Sequence, residues 1–304
     1  LTMDDNIREL NIVITDINKK IKELEEYKNK IENEIKEKTL LLLESKKDSL
    51  TKNDIVILFN LKVKGNEYTK NTNTNDGKEG IWLEKLMNIK TNCYNKPDIC
   101  GYEMKKYSDK ISFGDWTASE YLFSINTVLL DEINGEKINI TKEEFIKYFG
   151  TKNEDKESRY SWSGSCVPKY NKWNECGQIL QIDDNNNIMA MYSYDKDKRN
   201  NKNDTYKNKH ICIAIWHHKK IKKHVEDKFN QKGFFVCKKN KDNIYDKICF
   251  GSPIDYSIFI ENIKSGNIFF DSGLYNDDIK PNTRMYSHWR AHKNFWNNLI
   301  IEEY

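Results

Sequence analysis

The sequence predicts a mixed α/β domain behind a helical N-terminal segment, and three observations carry that prediction. Apolar residues recur at three-four spacing through the first fifty positions. Beyond a polar stretch near residue 70, short β-branched and aromatic runs alternate with helical patterns. The 304 residues are 38% hydrophobic, low but adequate for a folded core.

The elements follow in chain order. Ile7, Leu10, Ile14, Ile17, Ile21, Leu24, Ile31 and Ile35 form one helical stripe, with Lys28 the one polar interruption. Such a helix serves as a dimerising coiled coil, as a DNA-clasping arm, or as a helix packed on its own domain. Thr51-Lys52-Asn53-Asp54 reads as a helix start, and Ile55 to Leu61 continues the helical region. The polar run 71–77 then sets a boundary, which divides the chain into a segment 1–62 and a domain 63–304. Strands are expected at Tyr102 to Tyr107, Met189 to Tyr194, Ile211 to Trp216, Phe234 to Cys237 and Asn267 to Asp271. Helices are expected at 79–89, 117–131, 141–149, 219–231 and 254–264. Asp183-Asp184-Asn185-Asn186-Asn187 has hairpin-turn composition, and Asp195 to Lys209 reads as a polar surface loop. No internal repeat is present.

Composition excludes some functions. With 50 Lys+Arg against 47 Asp+Glu, the net charge of +3 points to no particular partner. Local clusters such as Lys219-Lys220-Ile221-Lys222-Lys223 suit either phosphate contact or a solvated helix face. No run reaches the ~18 apolar residues of a membrane span. Seven cysteines without a repeated CxxC pair, and no apolar leader, are expected of a protein in the reducing cytoplasm. A zinc site using some of them with His210 or His217 stays open, although no spacing matches a finger or ribbon. Ser161-Trp162-Ser163-Gly164-Ser165 lacks the partners of a hydrolase elbow.

Chemistry concentrates in Pro97-Asp98-Ile99-Cys100-Gly101-Tyr102-Glu103-Met104-Lys105. A strand here presents Glu103 and Lys105 on one face. Asp98 sits at an odd offset, so a turn or bulge near Gly101 must bring it alongside. Oxygen ligands such as Asp98 and Glu103 suit Mg²⁺, which neutralises charge in phosphodiester hydrolysis. The Lys105 ammonium beside them can orient and help deprotonate an attacking water. The bare string is also what a charged surface strand would show.

Its neighbours are more specific. Gly77-Lys78-Glu79-Gly80-Ile81-Trp82-Leu83-Glu84-Lys85-Leu86-Met87 lies upstream, and Phe113-Gly114-Asp115-Trp116-Thr117-Ala118-Ser119-Glu120-Tyr121 downstream. With these, the sequence resembles the PD-(D/E)xK nuclease superfamily, and within it the MvaI/BcnI-like restriction enzymes related to the MutH nicking nuclease. The resemblance covers about residues 77–122 and implies a restriction-endonuclease-like mixed sheet flanked by helices. It implies Asp98 and Glu103 as metal ligands, Lys105 as the catalytic lysine and Glu84 as a helix carboxylate. Met104 and Lys106 depart from the residues common in that group, and residues 1–60 have no counterpart in it.

Arginine is scarce, which singles out Arg284 and Arg290 in Arg284-Met285-Tyr286-Ser287-His288-Trp289-Arg290-Ala291-His292. Arginine reads guanine, and acidic groups read cytosine. In the resembling family an Asp on a C-terminal strand and a later His/Arg cluster recognise bases. That implies Asp271, Arg284, His288 and Arg290 here; separately, the basic residues Lys219 and Lys220 are read as phosphate contacts. The competing reading makes Trp289, Phe295 and Trp296 a C-terminal helix with the arginines solvated. The expected function is Mg²⁺-dependent, sequence-specific cleavage of double-stranded DNA, by a monomer or by a homodimer joined through the N-terminal helix. A MutH-like nicking enzyme and a non-catalytic DNA-binding or coiled-coil protein are the alternatives.

Overall fold

The structure is a computed structural model and describes residues 3–46, 49–69, 77–90, 94–153, 159–275 and 286–304. The chain divides into two compact units, Leu1–Asn66 and Glu67–Tyr304. In the first, α1 (Met3–Ser45) is one continuous helix of 43 residues. No glycine or proline interrupts it, and Glu, Lys, Ile and Leu are its commonest residues. α2 (Lys52–Lys62) starts where Thr51 and Asp54 form a reciprocal capping box, the Thr51 N–H donating to Asp54 Oδ2 at 2.8 Å.

The second unit runs α3 (Lys78–Leu86), β1 (Glu103–Lys106), β2 (Lys110–Asp115), β3 (Glu120–Tyr121), α4 (Val128–Asn134), α5 (Lys142–Phe149), β4 (Thr151–Asn153), β5 (Arg159–Ser163), β6 (Cys176–Ile182), β7 (Ile188–Asp197), β8 (His210–Trp216), α6 (His218–Phe229), β9 (Phe234–Lys239), β10 (Tyr245–Gly251), α7 (Tyr256–Lys264), β11 (Ile268–Tyr275), β12 (Ser287–His292), α8 (Lys293–Asn298) and β13 (Ile300–Glu303). Among the described residues the strands form three sheets rather than one, ordered β1-β9-β10-β13, β2-β12-β11-β5-β4 and β3-β8-β7-β6. The first is mixed, because β1 runs parallel to β9 while the other pairs are antiparallel.

One aromatic core joins the sheets, with Phe113, Trp162, Trp216, Phe234, Trp289 and Trp296 fully buried in it. Some polar atoms taken inside are paired, as burial favours, while the Nε1 atoms of Trp289 and Trp296 have no hydrogen-bond partner among the described residues. Trp162 Nε1 donates to Gln178 Oε1 at 2.7 Å, and Gln178 Nε2 donates to the Phe149 carbonyl at 2.6 Å. The buried Asp197 carboxylate is met by the Arg199 guanidinium at 2.6 Å.

Two sequence expectations are corrected. Residues 117–131 are not one helix: the Ser119 and Leu122 N–H groups donate to Ile215 and Ile213 carbonyls of β8, so the sheet edge takes the backbone and the helix begins only at Val128. Trp289 lies not on a C-terminal helix but on β12, between β2 and β11. There the side chains of residues 287–291 alternate between core and outer face. Phe295 and Trp296 do sit on a helix, α8. The turn at 183–187 joins β6 to β7, with Asn187 N–H donating to Asp183 Oδ1 at 2.7 Å. The segment 195–209 is less loop than expected, since β7 extends to Asp197 and a short 3₁₀ turn covers Asp204–Tyr206.

Candidate active site

β1 enters its sheet from a tight turn, and the turn decides where Asp98 goes. Cys100 and Gly101 both have positive φ, 52° and 83°, and reverse the chain. Tyr102 N–H donates to the Ile99 carbonyl at 2.8 Å, and Asp98 N–H donates to the Tyr102 carbonyl at 3.0 Å. The reversal folds Asp98 back beside β1, where its Oδ2 accepts the Met104 N–H at 2.9 Å. Gly101 also sits against Gln231, leaving little room for a side chain.

Glu103 and Lys105 project from one face of β1, with Lys105 Nζ 2.8 Å from Glu103 Oε1. Glu103 is 3% exposed. A second ammonium, Lys228 Nζ near the end of α6, reaches the same Oε1 at 3.1 Å. The other carboxylate oxygen, Glu103 Oε2, is buried with no hydrogen-bond partner among the described residues. Glu84, from α3, faces the same space. Glu84, Asp98, Glu103, Lys105, Lys228 and Arg290 all line one open cleft of about 840 Å³.

The electrostatics follow from crowding like charges in a poorly hydrated place. Burial, and then the Glu103 charge, push the Asp98 carboxyl up to about 7. Burial and Glu103 also raise Glu84. Burial depresses the Lys105 ammonium; Glu103 opposes that shift and Lys228 adds to it. Three carboxyl groups, Glu84, Asp98 and Glu103, thus converge where burial penalises their ionised forms, and a cation bound among them would relieve that penalty.

Asp98 gives a testable consequence. Its folded pKa, about 7, lies above the ordinary value of 3.8. Its contribution to stability is thus complete below pH ~4 and lost as pH rises through ~7. Asp98→Asn is expected to raise the thermal midpoint of EDTA-treated protein at pH 8 but not at pH 4. The gain is on the order of 2 kcal/mol after discounting for water in an open cleft. Equal midpoint differences at the two pH values would show that Asp98 ionises without penalty.

Among the described residues no three His, Cys, Asp or Glu side chains gather into a set able to hold a metal by themselves. This removes the zinc reading for the described cysteines with His210 and His217. His217 Nε2 instead lies 3.0 Å from Glu120 Oε1. A hard divalent cation fits better: two carboxylates suffice when water completes the shell, the cleft lining contains no Cys or His, and Glu103 Oε2 lacks a partner.

Asp271, His288 and Arg290 come together on the outer face of β11 and β12, where Asp271 is registered opposite His288. Arg290 Nε lies 2.8 Å from Asp271 Oδ2, an ion pair angled too poorly for a hydrogen bond. His288 Nδ1 is 3.1 Å from Ser112 Oγ, and its ring stacks on Tyr286. Asp271 also borders a second concavity, of about 610 Å³, which Lys169, Lys172 and Lys264 line and which shares Lys110 with the first. Arg284 lies outside the described residues. Lys219 and Lys220 lie at the other end of α6 from Lys228, some ~12 Å along the axis. Lys220 Nζ donates to the Thr117 carbonyl at 3.3 Å, and neither lysine lines the cleft. Sequence reasoning missed Lys228, Lys110, Lys169, Lys172 and Lys264, because in a lysine-rich chain only three-dimensional convergence distinguishes them. Trp116, conspicuous in the sequence, is a core anchor, 4% exposed, with Nε1 donating to Asn95 Oδ1 at 3.0 Å.

Comparison with known proteins identifies the family. Residues 61–304 match the family model described as LlaMI restriction endonuclease. The type II restriction enzyme ScrFI of Lactococcus lactis subsp. cremoris is 38% identical over 272 residues, covering 83% of this chain and 97% of that protein. Among solved structures, restriction endonuclease MvaI in complex with its cognate DNA substrate aligns with a TM-score of 0.55. It covers 84% of this chain and 99% of that one, and at 13% identity it speaks to the fold alone. With a family model matched from residue 61 to the C-terminal Tyr304 and a relative alike along nearly its whole length, this chain belongs to the LlaMI restriction endonuclease family and is a type II, sequence-specific endonuclease of double-stranded DNA.

Proposed function

We propose that the cleft is the cutting site and that Mg²⁺, held by Asp98 and Glu103, is its cofactor. Divalent-metal dependence is general to restriction endonucleases. Support for this place comes chiefly from one observation: Glu103 Oε2 is buried and unpartnered beside Asp98 and Lys105 in an open cleft. When bound, the ion would neutralise charge developing on the scissile phosphate. Lys105 Nζ orients the attacking water and, in the neutral amine form that burial favours, accepts a proton from it. Lys228 helps to hold Glu103 in place through the same oxygen that Lys105 touches. Glu84, from α3, lines the same cleft as a further carboxyl group, its pKa raised by burial and by the Glu103 charge. Water attacks phosphorus, the P–O3′ bond breaks and the departing 3′ oxygen takes a proton from solvent in the open cleft, leaving a 5′-phosphate and a 3′-hydroxyl.

Base reading is assigned to Asp271, His288 and Arg290, with Arg284 close to them in sequence. Lys219 and Lys220 are assigned to phosphates away from the cleft. Cys166, Cys176, Cys212, Cys237 and Cys249 are thiols, consistent with action in the cytoplasm. No helix among the described residues is long and apolar enough to cross a membrane.

The test is digestion of unmethylated phage DNA and of supercoiled plasmid with Mg²⁺ or with EDTA, followed by sequencing of the ends. Discrete Mg²⁺-dependent fragments and linear plasmid are expected. Nicked circles that never become linear would favour the MutH-like alternative, and equal cleavage in EDTA would remove the metal.

A further inference from the structure

The geometry points to a second copy of this chain as the partner of α1, the two helices forming a parallel, in-register, two-stranded coiled coil over about residues 7–35. The stripe read from the sequence is a strict heptad. Ile7, Ile14, Ile21, Lys28 and Ile35 occupy one core position, and Leu10, Ile17, Leu24 and Ile31 the other. In the single chain these apolar side chains stand in water: Ile14 is 53% exposed, Leu24 67% and Ile35 59%. An apolar seam of this length on a soluble helix marks an interaction surface.

Charge decides which partner. α1 carries eleven acidic against eight basic residues, so it repels a phosphate backbone, and a DNA-clasping role is disfavoured. It complements itself. In the parallel in-register pairing, Lys20 at the flank of one helix meets Glu25 of the second copy, and the reciprocal pair forms on the other side. Lys28, at a core position, lies 3.8 Å from Glu32 of its own helix and can reach water beside the seam. A lone core lysine of this kind sets register and holds the assembly to two strands. Antiparallel pairing with full overlap would instead press Lys28 against Ile17 and Lys38 against Ile7, burying ammonium groups on apolar partners.

The experiment is sedimentation equilibrium of the full chain at micromolar concentration without DNA. A mass of twice 36.2 kDa is expected, falling to 36.2 kDa for Ile14→Glu/Ile21→Glu and unchanged for Ile12→Glu, which lies on the opposite face. Mild oxidation of Ile14→Cys should give a covalent dimer absent from the wild-type chain, because in-register parallel helices bring the two positions within disulfide reach. This arm decides the matter even if the double variant is poorly folded. A monomeric wild type, a larger assembly, a dimer indifferent to Ile14→Glu/Ile21→Glu in protein of native helicity, or a dimer that Ile14→Cys does not cross-link would each overturn the proposal.

Discussion

Replacing Lys105 with alanine is expected to lower the cleavage rate by roughly 10³-fold or more while leaving DNA affinity little changed. Lys105 is 13% exposed, 2.8 Å from Glu103 Oε1, and its Nζ lies 3.5 Å from the Phe113 carbonyl, so it is confined at the mouth of the carboxylate pair. An ammonium held in this way acts on charge that appears only as the phosphate reacts. Its loss should therefore fall on kcat and spare binding. Lys228 contacts the same oxygen and is positioned to keep Glu103 from standing alone in the variant, so the fold should survive. Glu103→Ala is expected to be as inactive for a different reason, loss of the buried oxygens proposed to hold the cation. The check is single-turnover cleavage alongside binding measured with Ca²⁺ in place of Mg²⁺. Full activity in either variant would move the chemistry elsewhere in the cleft; equal losses of binding and rate in Lys105→Ala would make the lysine a phosphate anchor.

How far the site could be read from the sequence follows from where its residues lie. Asp98, Glu103 and Lys105 fall within eight consecutive positions, and strand geometry plus one glycine fixes how they meet. The turn at Cys100 and Gly101 closes as that offset required. Lys228 could not be found the same way. It approaches Glu103 because β9, directly after α6, pairs in parallel with β1 and registers Phe234 against Glu103. Such pairing across more than a hundred residues leaves no local signature. The same difficulty explains the helix expected at 117–131, whose apolar spacing is helical but whose backbone is claimed by β8. It also explains Trp289, whose residue type says only that it is buried, while its place on β12 depends on strands from both ends of the domain. Division of the strands among three sheets lies wholly beyond periodicity, since each strand shows only which of its faces is apolar.

Arg290→Ala is expected to relax sequence discrimination by about 5- to 150-fold, corresponding to the ~1–3 kcal/mol carried by one bidentate base contact. The guanidinium stands at the junction of two concavities. It lines the cleft that holds Glu103 and Lys105, and its partner Asp271 lines the lysine-bordered one beside it. A group in that place is held by Asp271 before DNA arrives, so little ordering is needed when a guanine edge replaces or joins the carboxylate. Asp271 is then free to accept from a cytosine amino group, and the two side chains together suit a G·C pair. Arg290→Lys should behave like Arg290→Ala, because an ammonium cannot make the forked contact. Measuring kcat/KM on the cognate site and on each single-base variant separates the possibilities. A loss confined to one base pair supports base reading, whereas a uniform loss on every sequence, with a shallower salt dependence of binding, would reassign Arg290 to a phosphate.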